Sequence, residues 1–175
     1  HRGKPKYLIG GLFFSEDNLK EYKLNFELVP DSCWYSNLRS LLKPSAWDII
    51  RKKVYAKSGG FCEICGAKPK RLEAHEQWEY DEKNKIQRLK RIVALCPMCH
   101  ATVHIGLSTL RGKEELCAAH FMNVNECTYA EYRKALGKAN EDHQRRNKID
   151  EWQLDLKWLE TLLDKKNDGE NSGKD

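Results

Sequence analysis

The stretch ALCPMCHATVHIG (residues 94–106) places Cys96, Cys99, His100 and His104 within nine positions. Thiolate sulfur and imidazole nitrogen are the usual protein ligands of zinc. A second pair, Cys62 and Cys65, lies in FCEICG (61–66), and 30 residues separate Cys65 from Cys96. Two C-x-x-C pairs on tight turns can set four thiolates tetrahedrally around one ion, a comparatively specific metal signal. A redox C-x-x-C usually occurs once, beside a βαβ pattern, and neither condition holds here. Four ordinary buried cysteines are the remaining alternative. The expectation is therefore a structural Zn2+ held by Cys62, Cys65, Cys96 and Cys99, with metal binding contributing directly to the folding of a small core.

Four thiolates close a zinc shell, which leaves His100 and His104 over. Their i, i+4 spacing puts them on one face of a helix. That suits two ligands of a second divalent metal, or else a packed or capping pair near a helix end. His75 adds to them, lying in the middle of RLEAHEQWEY (71–80). HEQWE is not the H-E-x-x-H of zinc proteases, because the second histidine is missing.

The elements that must position these groups are legible from periodicity. RLEAHEQWEY (71–80) and IQRLKRIVALC (86–96) read as strands joined by the polar turn DEKNK. PMCHATVH then reads as a helix stopped by Gly106. Two tight knuckles at the base of such a hairpin would meet, because a hairpin brings its ends together. Upstream, SAWDIIRKKVYAKSGG (45–60) predicts a helix with Ser45 as N-cap and Asp48 in the capping-box position. Trp47, Ile50 and Val54 mark its inner face, and Gly59–Gly60 end it. PDSCWYSNLRSLLKP predicts a short helix over 34–42, with Trp34 in the core. Residues 1–30 read as short strands or irregular chain. Downstream, a helix is expected over 112–124. Thr128 and Glu131 form a capping box opening a longer helix with Tyr129, Tyr132, Leu136 and Ala139 on one face. EWQLDL (151–156) alternates like a strand, and LKWLETLLDKK continues as a helix. KNDGENSGKD (166–175) has the composition of a disordered tail.

Composition bounds the class. The chain has 175 residues, 40% hydrophobic and 33% charged, enough for one core with decorations. No apolar run approaches the ~20 residues that span a bilayer, so no membrane partner is expected. YLIGGLFF (7–14) follows Arg2, Lys4 and Lys6, a basic-then-apolar order shared with signal peptides. A charged stretch, SEDNLKEYK, follows it instead of a small-residue cleavage site, so a strand or buried hairpin is expected. Seven cysteines, four of them in knuckles, point to a reducing, cytoplasmic compartment rather than a disulfide framework. Net charge is +5, and residues 43–106 hold 13 Lys/Arg against 7 Asp/Glu, a net of +6. The basic excess thus lies in the section with the metal motifs. It clusters at Arg51, Lys52 and Lys53, at Lys68, Lys70 and Arg71, and at Arg88, Lys90 and Arg91. Each cluster is read either as a solvated face or as a phosphate contact.

Knuckle, strand with a central histidine, second strand ending in L-C-x2-C-H, then a helix: over about Trp47–Gly106 this resembles the HNH, or ββα-metal, nuclease superfamily. LCPMCHATVH carries the resemblance most specifically. SCWYSNLRSLL, HEQWEYD and ALCPMCH also look like a group of small bacterial and phage HNH-like proteins. The resemblance implies that His75 is the general base that takes a proton from water, and that His100 and His104 hold a divalent metal (Mg2+, Mn2+, Ni2+ or Zn2+) at the scissile phosphate. Two positions depart from the family pattern. Ala74 stands where a metal-binding Asp or His precedes the base, and Arg91 stands where an Asn orients it. Glu76 is considered as a replacement carboxylate, since Ala74 and Glu76 share a strand face, and Arg91 as a direct phosphate contact.

The expected fold is α+β: a zinc-stabilised ββα-metal core over 45–106, with an N-terminal decoration (1–44) containing strands and a C-terminal helical region (107–165). The expected function is a metal-dependent endonuclease acting on DNA. Two alternatives stand beside it: a catalytically degenerate module that binds nucleic acid or protein, and a scaffold in which His75, His100 and His104 hold a second structural metal. No heptad or symmetric patch fixes an oligomeric state.

Overall fold

A computed structural model describes residues 7–9, 12–14 and 21–163. The centre is an antiparallel hairpin of β3 (Glu73–Asp81) and β4 (Ile86–Leu95), preceded by a short hairpin of β1 (Tyr7–Ile9) and β2 (Leu12–Phe14). In the central turn the Asp81 carboxylate accepts from the backbone and side-chain nitrogens of Asn84 at 3.0 and 2.7 Å. Lys85 takes the left-handed φ of 56° that closes the turn. The alternation in EWQLDL predicts a strand, and β5 (Gln153–Asp155) forms there and pairs with β4 in parallel.

The hairpin register decides which side chains meet. His75 lies opposite Val93 and Glu73 opposite Leu95. Gln77 pairs with Arg91 but Trp78 with Leu89, so Lys90 is the extra residue of a β-bulge. Side chains alternate across the sheet, and two clusters result. Val93 and Leu95 join Leu24, Val103, Ala118, Phe121 and Tyr132, together with Cys62, Cys96 and Cys99. Ile92 and Ala94 face the other way, toward Leu38, Ile50, Val54 and Leu89, with Ala74 packed against them.

The second cluster is covered by α1 (Leu38–Leu41) and α2 (Pro44–Lys57). Helix α2 buries Ile50 and Val54, as its periodicity predicts, but it starts without the expected Ser45–Asp48 box. Pro44 occupies the first helical position, where its locked φ suits the turn and its missing N–H is no loss. Asp48 instead pairs with Arg51 at 2.6 Å. The expected packing of Trp34 is also corrected: its side chain is 63% exposed and Cys33 is the buried residue of that loop. A 3-10 turn (Asp31–Cys33) precedes the predicted span and the Asn37 cap delays the helix to Leu38, so Trp34 lies in the turn between them.

The first cluster is covered by α3 (Pro97–Val103), α5 (Glu114–Asn125) and α6 (Tyr129–Arg146). Gly106 does not stop the helix after the second knuckle. The break falls at His104 (φ −89°, ψ 47°), and Gly106 lies inside α4 (Ile105–Leu110). Thr128 and Glu131 form the predicted reciprocal cap of α6, whose inner face is narrower than expected: Tyr132 is buried while Tyr129 is exposed. Helix α7 (Trp158–Leu163) packs beside the second cluster. No helix among the described residues is long and apolar enough to cross a membrane. The expected tail over 166–175 lies outside the described residues.

An extended segment over residues 21–30 crosses the first cluster. Tyr22 and Phe26 both pack on Phe121, with ring centroids 5.2 and 4.7 Å away. Between them Leu24 is fully buried, and its backbone is clamped by Asn125. The Asn125 carboxamide oxygen accepts from Leu24 N–H (3.0 Å) and its amide donates to Leu24 C=O (2.8 Å). Asn125 thus does for an isolated stretch of chain what a neighbouring strand would otherwise do. Glu27 N–H donates to Val103 C=O at 3.0 Å, which ties the segment to the end of α3.

Candidate metal centres

The four knuckle cysteines come together at the base of the hairpin. Their sulfurs all lie within 4.8 Å of one another, and Cys65 Sγ is 3.8 Å from Cys96 Sγ. A tetrahedral zinc with bonds of about 2.3 Å has sulfur–sulfur edges of about 3.8 Å, whereas a disulfide needs about 2.05 Å. The first knuckle is a tight turn: Cys62 N–H donates to Ala67 C=O (2.8 Å), Gly66 N–H donates back to Cys62 C=O (2.9 Å), and Gly66 takes φ 74°. Glu63 pins it to β4, donating its N–H to Ala94 C=O (2.9 Å) and accepting from Ala94 N–H with its carboxylate (2.6 Å). In the second knuckle, Cys96 is the N-cap of α3, its sulfur accepting from Cys99 N–H at 3.3 Å.

The electrostatics of the four thiols fit a dication. Burial pushes the Cys62 thiol up, but backbone N–H groups of Cys65, Cys96 and Ile64 outweigh it and bring the thiol down to about 7. Cys99 is pushed far up, first by burial and then by negative charge at Cys62 and Cys96. One thiolate forms readily and further ones are resisted, a balance that a divalent cation reverses. The group could hold a structural metal such as zinc. His120 Nε2 lies 3.1 Å from Cys99 Sγ, so its N–H can donate to that sulfur; nothing in its sequence surroundings, LCAAHFMN, signals this role.

A second group starts one residue later. His75 from β3, His100 from α3 and His104 at its end have ring nitrogens within 4.8 Å of one another. Ring centroids are 5.4 Å apart for His75–His100 and 4.8 Å for both His75–His104 and His100–His104. His75 is 3% exposed. Burial holds the His100 imidazole below its ordinary value and, with the charges of His75 and His100, takes His104 down to about 3. Rings held neutral keep lone pairs, and neutral imidazoles crowded in a buried site are a donor set suited to a cation.

Two glutamates reach these rings, and neither was singled out from sequence. Glu27 Oε2 lies 3.0 Å from His75 Nε2, delivered by the segment that Asn125 clamps. Glu73 Oε2 lies 2.5 Å from His100 Nδ1, while its Oε1 is held by Arg71 at 2.9 Å. Glu73 is two residues before His75 and therefore on the same strand face, a signal the sequence does contain. Glu27 carried none, being 48 residues away in an irregular stretch.

The structure does not bring Glu76 to the histidines. Its carboxylate accepts from Leu38 N–H at 3.0 Å, and burial pushes it up to about 7. Strand alternation gives the reason: Glu76 shares the face of Ala74, opposite to His75. Arg91 lies across from Gln77 and donates Nε–H to its side-chain oxygen at 2.7 Å, remaining exposed.

The basic clusters are largely engaged. Arg51 pairs with Asp48, Arg71 with Glu73, and Arg88 with both Glu79 and Asp155. Lys53 reaches Leu162 C=O at the end of α7 (3.4 Å), and Lys68 lies over the Phe61 ring. Lys52, Lys70 and Lys90 stand exposed. No protein-family model, no curated protein and no solved structure matches this chain.

Proposed function

We propose that this protein is a metal-dependent endonuclease of the HNH, ββα-metal type that hydrolyses DNA phosphodiester bonds. The observation that carries the reading is the convergence of His75, from a hairpin strand, on His100 and His104, from the helix that follows it. A cation bound there would supply positive charge to a phosphate oxygen and to the leaving oxygen. His100 and His104 would hold it. His75, an imidazole fixed against the sheet, accepts the proton of the attacking water. Arg91 commits only Nε to Gln77 and offers the rest of its fork to a phosphate. Exposed Lys52, Lys70 and Lys90 add sequence-independent attraction for the backbone. The Cys62–Cys65–Cys96–Cys99 zinc fixes the start of α3, and so the position of His100.

A second reading, a binding module of HNH ancestry that no longer cuts, is favoured by one specific observation. Ala74 is packed into the second cluster, so that position supplies no metal ligand. Nicking of supercoiled plasmid with Mg2+, Mn2+, Ni2+ or Zn2+ separates the two. The nuclease reading expects open circles with at least one metal, lost in His75→Ala. DNA retention without cleavage under every metal overturns it in favour of the second.

A further inference from the structure

We infer that Glu27 and Glu73 are the positioning residues of the histidine centre: each fixes one ring so that the remaining nitrogens of His75 and His100 converge. The inference rests on the proposed function, with His100 and His104 as ligands of a cation and His75 as the base beside it.

A ring nitrogen that donates a hydrogen bond has no lone pair to give. Glu27 engages His75 at Nε2, so the proton sits there and the lone pair is at Nδ1. Glu73 engages His100 at Nδ1, so the lone pair is at Nε2. The two carboxylates thus select opposite tautomers in neighbouring rings. Without them, neutral imidazoles about 5 Å apart could each turn either nitrogen inward. A metal-binding histidine such as His100 ordinarily gives its second N–H to a carboxylate in this way, and the same kind of bond raises the basicity of the free nitrogen of His75.

Both glutamates stand outside the histidine cluster itself. The group whose ligand atoms all lie within 4.8 Å of one another comprises the three histidines and neither carboxylate. Each carboxylate is also held from behind. Arg71 grips the second oxygen of Glu73. Glu27 is fixed through its backbone, by its bond to Val103 and by the Asn125 clamp three residues earlier. Ala74 and Arg91 leave the base histidine without the neighbours its resemblance implies. Here Glu27 takes up the orienting task from a different part of the chain.

Long-range 1H–15N spectra of histidine-labelled full-length protein, with zinc retained at the cysteines, read the tautomers directly. The wild type is expected to show His75 protonated at Nε2 and His100 at Nδ1. In Glu27→Ala, His75 becomes a mixture while His100 is unchanged, and Glu73→Ala gives the converse. Glu27→Gln restores the His75 tautomer, since the amide oxygen accepts the same N–H. Co2+ titration of the histidine centre is expected to weaken about 10–100-fold in Glu73→Ala, whose partner His100 is a ligand, and to change by less than about threefold in Glu27→Ala. Unchanged tautomers in both alanine variants, or the opposite tautomers in the wild type, would overturn the inference. Neither readout involves DNA: absent cleavage leaves this inference standing, and a contrary tautomer leaves the nuclease reading standing. A wild type that shows these tautomers but binds no Co2+ at the histidines overturns the metal-centre reading instead.

Discussion

Replacing Asn125 by Ala removes a clamp that touches no histidine, yet it should disturb both stability and the histidine centre. Asn125 is 8% exposed, and its side chain satisfies both backbone groups of Leu24, a residue with no exposed surface. The alanine variant leaves a buried N–H and a buried C=O without partners. Each costs about 1–3 kcal/mol, so the loss should be about 2–6 kcal/mol. For a chain of this size about 2–4 °C of Tm is lost per kcal/mol, giving a fall of about 4 °C at the lower bound and more than about 20 °C at the upper. Thermal denaturation followed by circular dichroism measures it, with exposed Asn140→Ala as a control expected to stay within about 0.5 kcal/mol. The segment that loosens also carries Glu27, so the His75 tautomer should become a mixture too. A variant that melts within about 1 °C of wild type would show that the clamp does not hold the segment, and the route from Asn125 to His75 would be refuted.

Three other outcomes are expected. A strong zinc chelator should unfold the protein or lower its Tm by more than about 10 °C, because structural zinc contributes about 10–16 kcal/mol and three of the four cysteines lie within the first core cluster; an unchanged melt would show that the cysteines are only packing. Glu76→Gln should leave plasmid nicking within about twofold, since the side chain faces Leu38 rather than the histidines; loss of nicking in a variant that still folds would contradict that placement. Trp34→Ser should change stability by less than about 0.5 kcal/mol, as expected of an exposed site, whereas a core tryptophan would cost about 3–5 kcal/mol, readable in a urea melt.

The parts of the fold that could be read in advance are those set by local pattern. Two C-x-x-C knuckles flanking a period-two pair of strands are sufficient to bring Cys62, Cys65, Cys96 and Cys99 together, because the hairpin between them closes by its own turn chemistry. The Thr128 cap and the alternation of 151–156 are local in the same sense. Features that depend on the distant chain were not legible. Glu27 reaches His75 only because Asn125, about a hundred residues later, pins an extended segment across the helices. Glu76 is instructive in another way. The rule that places it with Ala74 also places both opposite His75, so strand alternation already favoured Glu73. The partners of the charge runs were not legible either: Arg51 and Arg88 find carboxylates on the same helix or a neighbouring strand.

The proposed function requires ALCPMCHATVHIG to serve two separate centres, the cysteines one and the histidines another. Elemental analysis of protein dialysed against excess divalent metal tests this most directly, with His100→Ala/His104→Ala beside the wild type. Two metal equivalents per chain in the wild type and one in the double variant, with its fold retained, is the predicted result. A single equivalent in both proteins would contradict the account.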